Sequence, residues 1–233
     1  MSIKRIYLTR RNPAIPAEEF PREWRRHAAL AASFSNVKGR YSRVAQCTKF
    51  DAAGVAPAND YAGVALLWMP SLEIALEVNT DPDVIERLRP DEVRVFGMEV
   101  VNCAMFTQEE VLLDTQRPSG VVVIEFLRRA PGSTPEAFRQ AWQAHGARTV
   151  ARTPTDAGVS RLAHDLVVRT PPPGYEFDGV CETWFDSEPA ALAHLAPGGA
   201  WERIAHEREA YCAAGGGTVV MPTRVTHAWS ART

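Results

Sequence analysis

The chain has 233 residues, 45% hydrophobic and 23% charged, and 26 Lys+Arg against 28 Asp+Glu give a formal net charge of −2. That is enough chain for a proper core in one large or two small domains, and the charge balance excludes a global basic field for nucleic acid or an anionic membrane. Four cysteines (Cys47, Cys103, Cys181, Cys212) stand singly, the N-terminus lacks a secretory pattern, and the longest strongly apolar run is Val64–Met69; free thiols in a soluble cytoplasmic protein are expected.

Residues 3–9 are a β-branched and aromatic run ending at Arg10-Arg11 and Pro13, hence a strand and a loop. Helical periodicity follows over 17–32, strands over 41–47 and 62–68, a helical segment over 71–89 and a strand over 98–106. After a polar connector the order recurs. A strand spans 121–128, and a helix spans 135–150 with Thr134-Pro135-Glu136 as its start signal. A strand covers 159–168 and ends before Pro171-Pro172-Pro173-Gly174, and another covers 179–185. A helical segment over 187–213 breaks near Pro197-Gly198-Gly199, and a last strand fits 218–227 after a Gly215-Gly216-Gly217 turn.

The recurrence is a duplication. At an offset of 118, twelve of the 45 positions from 3 to 47 are identical, among them Phe20/Phe138, Trp24/Trp142, His27/His145 and Arg43/Arg161; ordinary composition gives roughly three. The offset then becomes 116, matching Gly63/Gly179, Trp68/Trp184 and Glu86-Arg87/Glu202-Arg203. A slip of two is a length change in a loop. The chain therefore divides into an N-terminal repeat (1–107), a connector (108–120) and a C-terminal repeat (121–233).

Each repeat reads β-α-β-β-α-β, the ferredoxin-like pattern. One such unit has helices on one side of its antiparallel sheet and leaves the other side bare. An α+β fold is expected in which the two sheets pack into a pseudo-two-fold barrel within one chain. The alternative is that each half pairs with a second chain. A monomeric pseudo-dimer or a homodimer follows accordingly.

Phe20, Trp24 and His27 share one helix face, as do Phe138, Trp142 and His145. The aromatics suit core positions, whereas a histidine there titrates near neutral pH and is a candidate for chemistry. The repeats differ in their polar groups: Tyr7 becomes Glu125, Gln46 becomes His164, Cys47 becomes Asp165 and Leu66 becomes Glu182. Alternation puts Glu182 on the face of Trp184, where an apolar cleft would raise its pKa and make it a proton donor. Alternatively Glu182 and Glu125 face the space between the sheets and pair with Arg43 or Arg161. Those two arginines either bind an anionic group or close the barrel seam, and the seam is favoured. His194, His206 and His227 have no matching histidine and are expected at the surface. No phosphate loop, dinucleotide fingerprint, nucleophile elbow or zinc motif is present, so no metal site is expected.

The duplicated strand, proline-containing loop and Glu-x-Phe-x-x-x-Trp-x-x-His (Glu18 to His27, Glu136 to His145) resemble the EthD family of the dimeric α/β-barrel superfamily. The resemblance spans both halves and implies a tandem protein with the usual dimer fused. The family includes proteins accessory to ether degradation and others resembling cofactor-independent dehydratases or decarboxylases of aromatic polyketides. It implies a small hydrophobic, oxygenated or aromatic ligand, no cofactor, and neither nucleic acid nor membrane as partner. The leading expectation is proton-transfer chemistry (dehydration, decarboxylation or isomerisation), possible for a lyase or isomerase. His145, with His27 as its counterpart, is the acid or base, and Glu182 or His164 is its partner. Trp142, Trp184, Trp24 and Trp68 wall the pocket, with Arg43 and Arg161 as anion contacts. The alternative is a non-catalytic ligand-binding or accessory protein; haem chemistry with a histidine ligand follows only from superfamily neighbours.

Overall fold

The computed structural model describes residues 3–52, 54, 56, 58–152, 157–213 and 218–231; the Gly215-Gly216-Gly217 turn lies outside them. The first repeat comprises β1 (Ile3–Thr9), α1 (Phe20–Ser33), the short α2 (Ser35–Lys38), β2 (Arg43–Lys49), β3 (Gly63–Met69), α3 (Leu72–Glu77), α4 (Arg89–Phe96) and β4 (Ala104–Asp114). The second comprises β5 (Val121–Leu127), α5 (Pro135–Arg152), β6 (Val159–Val167), β7 (Gly179–Phe185), α6 (Glu188–Leu195), α7 (Ala200–Arg208) and β8 (Thr218–Ser230). The α5 start signal works as read, with Thr134 Oγ1 accepting from the Ala137 N–H at 3.1 Å.

The eight strands close an antiparallel barrel in the order β1-β3-β2-β8-β5-β7-β6-β4. Within each repeat the order is the same, 4-1-3-2 and 8-5-7-6, and the repeats join along β2–β8 and β4–β6. The pseudo-two-fold barrel thus closes within one chain. β3, β5 and β7 are buried along their full length because one face looks into the barrel and the other lies under helices. Such strands read as near-continuous apolar runs, as Gly-Val-Ala-Leu-Leu-Trp-Met does.

Two boundaries differ from the sequence reading. β4 runs to Asp114 and pairs with β6 from Thr107↔Val167 to Asp114↔Arg161, so residues 108–114, read as connector, are a seam strand. Their Gln-Glu-Glu pattern conceals a strand because Glu109 points into a charged barrel interior. The helical segment after β3 also continues to Phe96, where Gly97 at φ 75° stops it. No helix among the described residues is long and apolar enough to cross a membrane.

Candidate functional site

Alternation sends Lys4 of β1, Arg43 of β2, Trp68 of β3, Glu109 of β4, Arg161 and Asp165 of β6, and Glu182 and Trp184 of β7 into the barrel. Lys4 Nζ lies 2.6 Å from Glu182, 2.7 Å from Glu109 and 3.1 Å from Asp165, all of them buried. Arg161 bonds Glu109 and approaches Glu182 at 3.5 Å. The indoles complete the arrangement: Trp68 Nε1 donates to Glu109 at 3.0 Å and Trp184 Nε1 to Glu182 at 2.8 Å. Arg43 sits over Trp68, its guanidinium carbon 4.4 Å from the ring centre.

Burial alone would lower the Lys4 pKa, but Asp165, Glu182 and Glu109 together raise it. Burial opposes Glu109 in the same way, yet Lys4 and Arg161 hold its carboxyl down at about 2. Asp165 goes the other way, pushed well above the usual carboxylate range by burial and by its two acidic neighbours against the pull of Lys4. This is a closed ion network. It holds Arg161 and Glu182 together, one part of the seam reading, and places Trp68, Trp184 and Arg43 in the same interior; Glu125 instead points to the helix-covered face and bonds Arg208.

His145 and His164 lie on the opposite, helix-covered face of the second repeat's sheet. His164 pairs in register next to Ala163↔Glu182, so the two side chains point to opposite sides of the wall. His145, His164 and Glu182 therefore do not share a cavity. His164 stacks on Trp142 at 4.1 Å and lies parallel to the His145 ring at 6.2 Å. Burial, reinforced by Arg208 and His145, drives its pKa well below the histidine range, so the ring is neutral. Beside them Arg208 makes a two-pronged bond to Glu125, 2.5 and 3.2 Å, and Trp201 Nε1 adds a third at 2.7 Å. His164 and Trp142 border an opening of about 330 Å³ between α5 and the β4–β6 seam.

The first repeat is different. Between α1 and the outer face of its sheet lies a cavity of about 260 Å³, with walls of Val44, Leu67, Val78, Val84 and Leu88 and the small α1 residues Ala28, Ala31 and Ala32. His227 and Trp229 of β8 close it across the seam, so both repeats build it. Its polar groups are His27, Tyr7, Arg5, Gln46, Tyr41 and Glu92, with Arg25 and Lys38 also in the lining. His27 Nδ1 lies 2.9 Å from Asp91 Oδ2. Hydrogen bonding to His27, joined by Arg94, holds the Asp91 carboxyl at about 2. An ionised Asp91 only accepts, so His27 Nδ1 carries a hydrogen and Nε2 is the ring nitrogen left for a ligand. Tyr7 Oη accepts from Trp24 Nε1 at 3.1 Å, and burial raises its pKa, so it is a neutral hydroxyl with a hydrogen to donate. Gln46 gives Nε2 to the Trp24 carbonyl at 3.2 Å, while its Oε1 has no partner among the described residues.

Trp24 lies on the α1 face packed on Phe20 and Phe96 and does not line the cavity, while Trp142 lies on the α5 face and borders the second opening. Of the unmatched histidines His206 is exposed, whereas His194 and His227 are half-buried; burial lowers His194 to about 4. Burial pushes the Cys103, Cys181 and Cys212 thiols up to about 12, which leaves them protonated and unreactive. Among the described residues no group of three or more His, Cys, Asp or Glu is placed to hold a metal ion.

Sequence reasoning missed Lys4, Arg5, Asp91, Glu92 and Arg208. The signal was present for the last three. The 116 offset that aligns Glu86-Arg87 with Glu202-Arg203 also places Asp91 opposite Glu207 and Glu92 opposite Arg208.

No curated protein sequence matches the chain. Among solved structures it is similar to an anthrone oxidase-like protein at TM-score 0.66 and 14% identity, covering 98% of this chain and 92% of that one. A proposed monooxygenase from Fusobacterium nucleatum subsp. nucleatum superposes at 0.61 with 7% identity (98% and 94% covered), and another from Lactobacillus acidophilus NCFM at 0.56 with 10% (98% and 95%). At such identities the likeness is one of fold. The EthD domain model matches residues 12–97 and again 130–205, once in each repeat. The chain belongs to the EthD domain family, with two copies of the domain fused into one barrel.

Proposed function

We propose that the protein acts on a small, largely apolar, oxygenated or aromatic metabolite in the first repeat's cavity, by proton-transfer chemistry without a tightly bound cofactor. The observation that carries this reading is the His27–Asp91 pair beside a cavity whose walls are largely aliphatic and which Tyr7 also lines. An imidazole whose Nδ1–H is held by the Asp91 carboxylate turns Nε2 toward the cavity, where it can act as base. The base takes a proton from carbon next to an oxygenated centre, and the electron pair moves onto that oxygen. Tyr7 donates its hydrogen bond to the oxygen as charge develops there. The imidazolium, stabilised by Asp91, then returns the proton to another atom of the same molecule or to a leaving hydroxyl. Isomerisation or dehydration results. The aliphatic walls keep water out, which strengthens each of these contacts.

The anthrone oxidase-like relative makes anthrone a suitable probe. The test follows deuterium exchange at the activated carbon of anthrone and of 2-tetralone by NMR, with wild type and His27→Ala. Wild type is expected to speed exchange, and the variant to lose roughly 10²–10⁴ of that acceleration. Equal exchange by the two proteins, or no acceleration by wild type of either ketone, refutes the assignment. A second reading, a non-catalytic carrier, draws support from the predominance of aliphatic lining, and it predicts ketone binding without exchange.

A further inference from the structure

Arg5 is the buried charge that this mechanism does not use. It projects from β1 into the cavity, is 4% exposed, and enters no ion pair among the described residues. Its Nη2 donates to Asn79 Oδ1 at 3.1 Å and the Tyr41 hydroxyl lies beside it, both neutral groups, while Nε has no partner. A guanidinium out of water without a carboxylate is costly, and its planar fork matches a carboxylate better than any other common group. The second repeat provides the comparison within one molecule. There the buried arginine, Arg208, has the chain's own carboxylate, because Glu125 stands where the first repeat has Tyr7. In the first repeat no such carboxylate is supplied, and an open cavity of about 260 Å³ is found instead.

The charges around that space point the same way. The lining carries three permanent cations, Arg5, Arg25 and Lys38, against one carboxylate, Glu92, whose Oε2 is occupied by the Val100 N–H at 2.8 Å. The remaining lining is mostly aliphatic, with Tyr7, Tyr41, Gln46, His27, His227 and Trp229 among it, and lies between a sheet and a helix, a slot that suits a flat body.

We infer that Arg5 anchors the carboxylate of a small organic acid whose flat apolar body fills the cavity between α1 and the sheet. The inference rests on the placement of the substrate proposed above and narrows its class from oxygenated metabolites to monocarboxylic acids. Arg5 receives the carboxylate through Nε and the guanidinium edge, Gln46 Oε1 accepts from any hydroxyl on the body, and His27 faces the apolar part.

The test is equilibrium binding to the full-length chain by calorimetry, comparing 2-naphthoate with its neutral analogue 2-naphthamide, for wild type, Arg5→Lys and Arg5→Gln. Wild type is expected to prefer naphthoate by roughly tenfold or more, Arg5→Gln to lose the preference, and Arg5→Lys to keep part of it. A melting curve provides a second readout. Because Arg5 lacks a carboxylate partner in the free protein, Arg5→Gln should melt no lower than wild type, whereas an arginine serving only structure would lower it. Equal affinity for the two probes, no binding of naphthoate by wild type, or a preference that survives Arg5→Gln overturns the proposal. If Arg5→Gln fails to fold, the wild-type preference and the Arg5→Lys variant decide. The measurement needs no turnover and does not involve His27, so ketone exchange can succeed while this inference fails, and the reverse.

Discussion

Lys4→Met is the sharpest test of the barrel interior. The substitution keeps the length of the side chain and removes one charge from among three carboxylates, Glu182, Glu109 and Asp165, at 2.6–3.1 Å. Arg161 remains for Glu109 and Glu182, so Asp165 loses the cation that opposes its burial. Removing one partner of a buried pair leaves an uncompensated charge and costs roughly 3–5 kcal/mol, out of a total that is about 5–15 kcal/mol for ordinary domains. For a chain of this size each kcal/mol moves the melting temperature by about 2–4 °C, so the expected drop is roughly 6–20 °C. The pH dependence identifies the cause. Without Lys4 the Asp165 carboxyl, already held above the usual range by burial, rises further above its unfolded value. The folded state then binds more protons than the unfolded state, and stability falls as pH rises. The deficit relative to wild type should therefore shrink from pH 8 to pH 5, and Lys4→Met/Asp165→Leu should recover part of it. Urea unfolding monitored by circular dichroism at several pH values measures this. A loss under about 1 kcal/mol, or a deficit that does not change with pH, would refute the argument.

Three further outcomes follow from the same geometry. Glu125→Gln leaves the Arg208 guanidinium without its carboxylate and should cost about 3 kcal/mol or more by denaturant unfolding; a change below about 1 kcal/mol contradicts it. Asp91→Asn should lower the His27-dependent exchange rate by roughly 10²-fold, since His27 loses the acceptor that fixes its tautomer. The Asp91 carboxyl is depressed to about 2, so its stabilisation is present above the ordinary aspartate range and is lost as pH falls through about 2; wild type and variant should melt alike at that pH. Gly63→Ala puts a methyl group against the Trp24 ring and 2.9 Å from the Cys47 carbonyl, whereas Gly179→Ala meets Phe138 and Trp142 at 3.2 Å. The first should cost roughly 1–3 kcal/mol and more than the second, and thermal melting in the opposite order would show that Trp24 yields.

The fold was legible because the duplication carries rare residues at fixed offsets. Trp24/Trp142 and Trp68/Trp184 align the elements, and bare sheet faces have few places to go except against each other. The end of β4 was hidden because an inward glutamate inside a polar run imitates a loop. Lys4 was also visible in principle, since it shares the inward face with Ile6 and Leu8. A lysine at the start of a strand, however, is ordinarily read as reaching for solvent. The location of the open cavity was beyond the repeat signal altogether. It is decided by exchanges with no matching residue: Arg5 for Val123, Tyr7 for Glu125 and Glu92 for Arg208. Their consequence depends on whether charges meet across a helix–sheet gap, and that is a matter of distance and not of spacing along the chain.

The same exchanges explain how one barrel supports two unlike lobes. Both halves share the interior network, whose members come from β1 and β4 of one repeat and β6 and β7 of the other. Opening a gap in one lobe therefore leaves the barrel wall intact. In the second lobe the Arg208–Glu125 pair and stacked rings fill the place beneath the helices, and its opening of about 330 Å³ lies at the β4–β6 seam instead. The first leaves a buried arginine, an amide oxygen and a tyrosine hydroxyl facing unfilled space, an arrangement that is unfavourable for the free protein. Polar groups of this kind are a liability in a lobe that only packs, but they become favourable when a ligand completes their bonds. The asymmetry between the repeats is thus the physical basis for proposing that the first lobe binds and the second holds the barrel together.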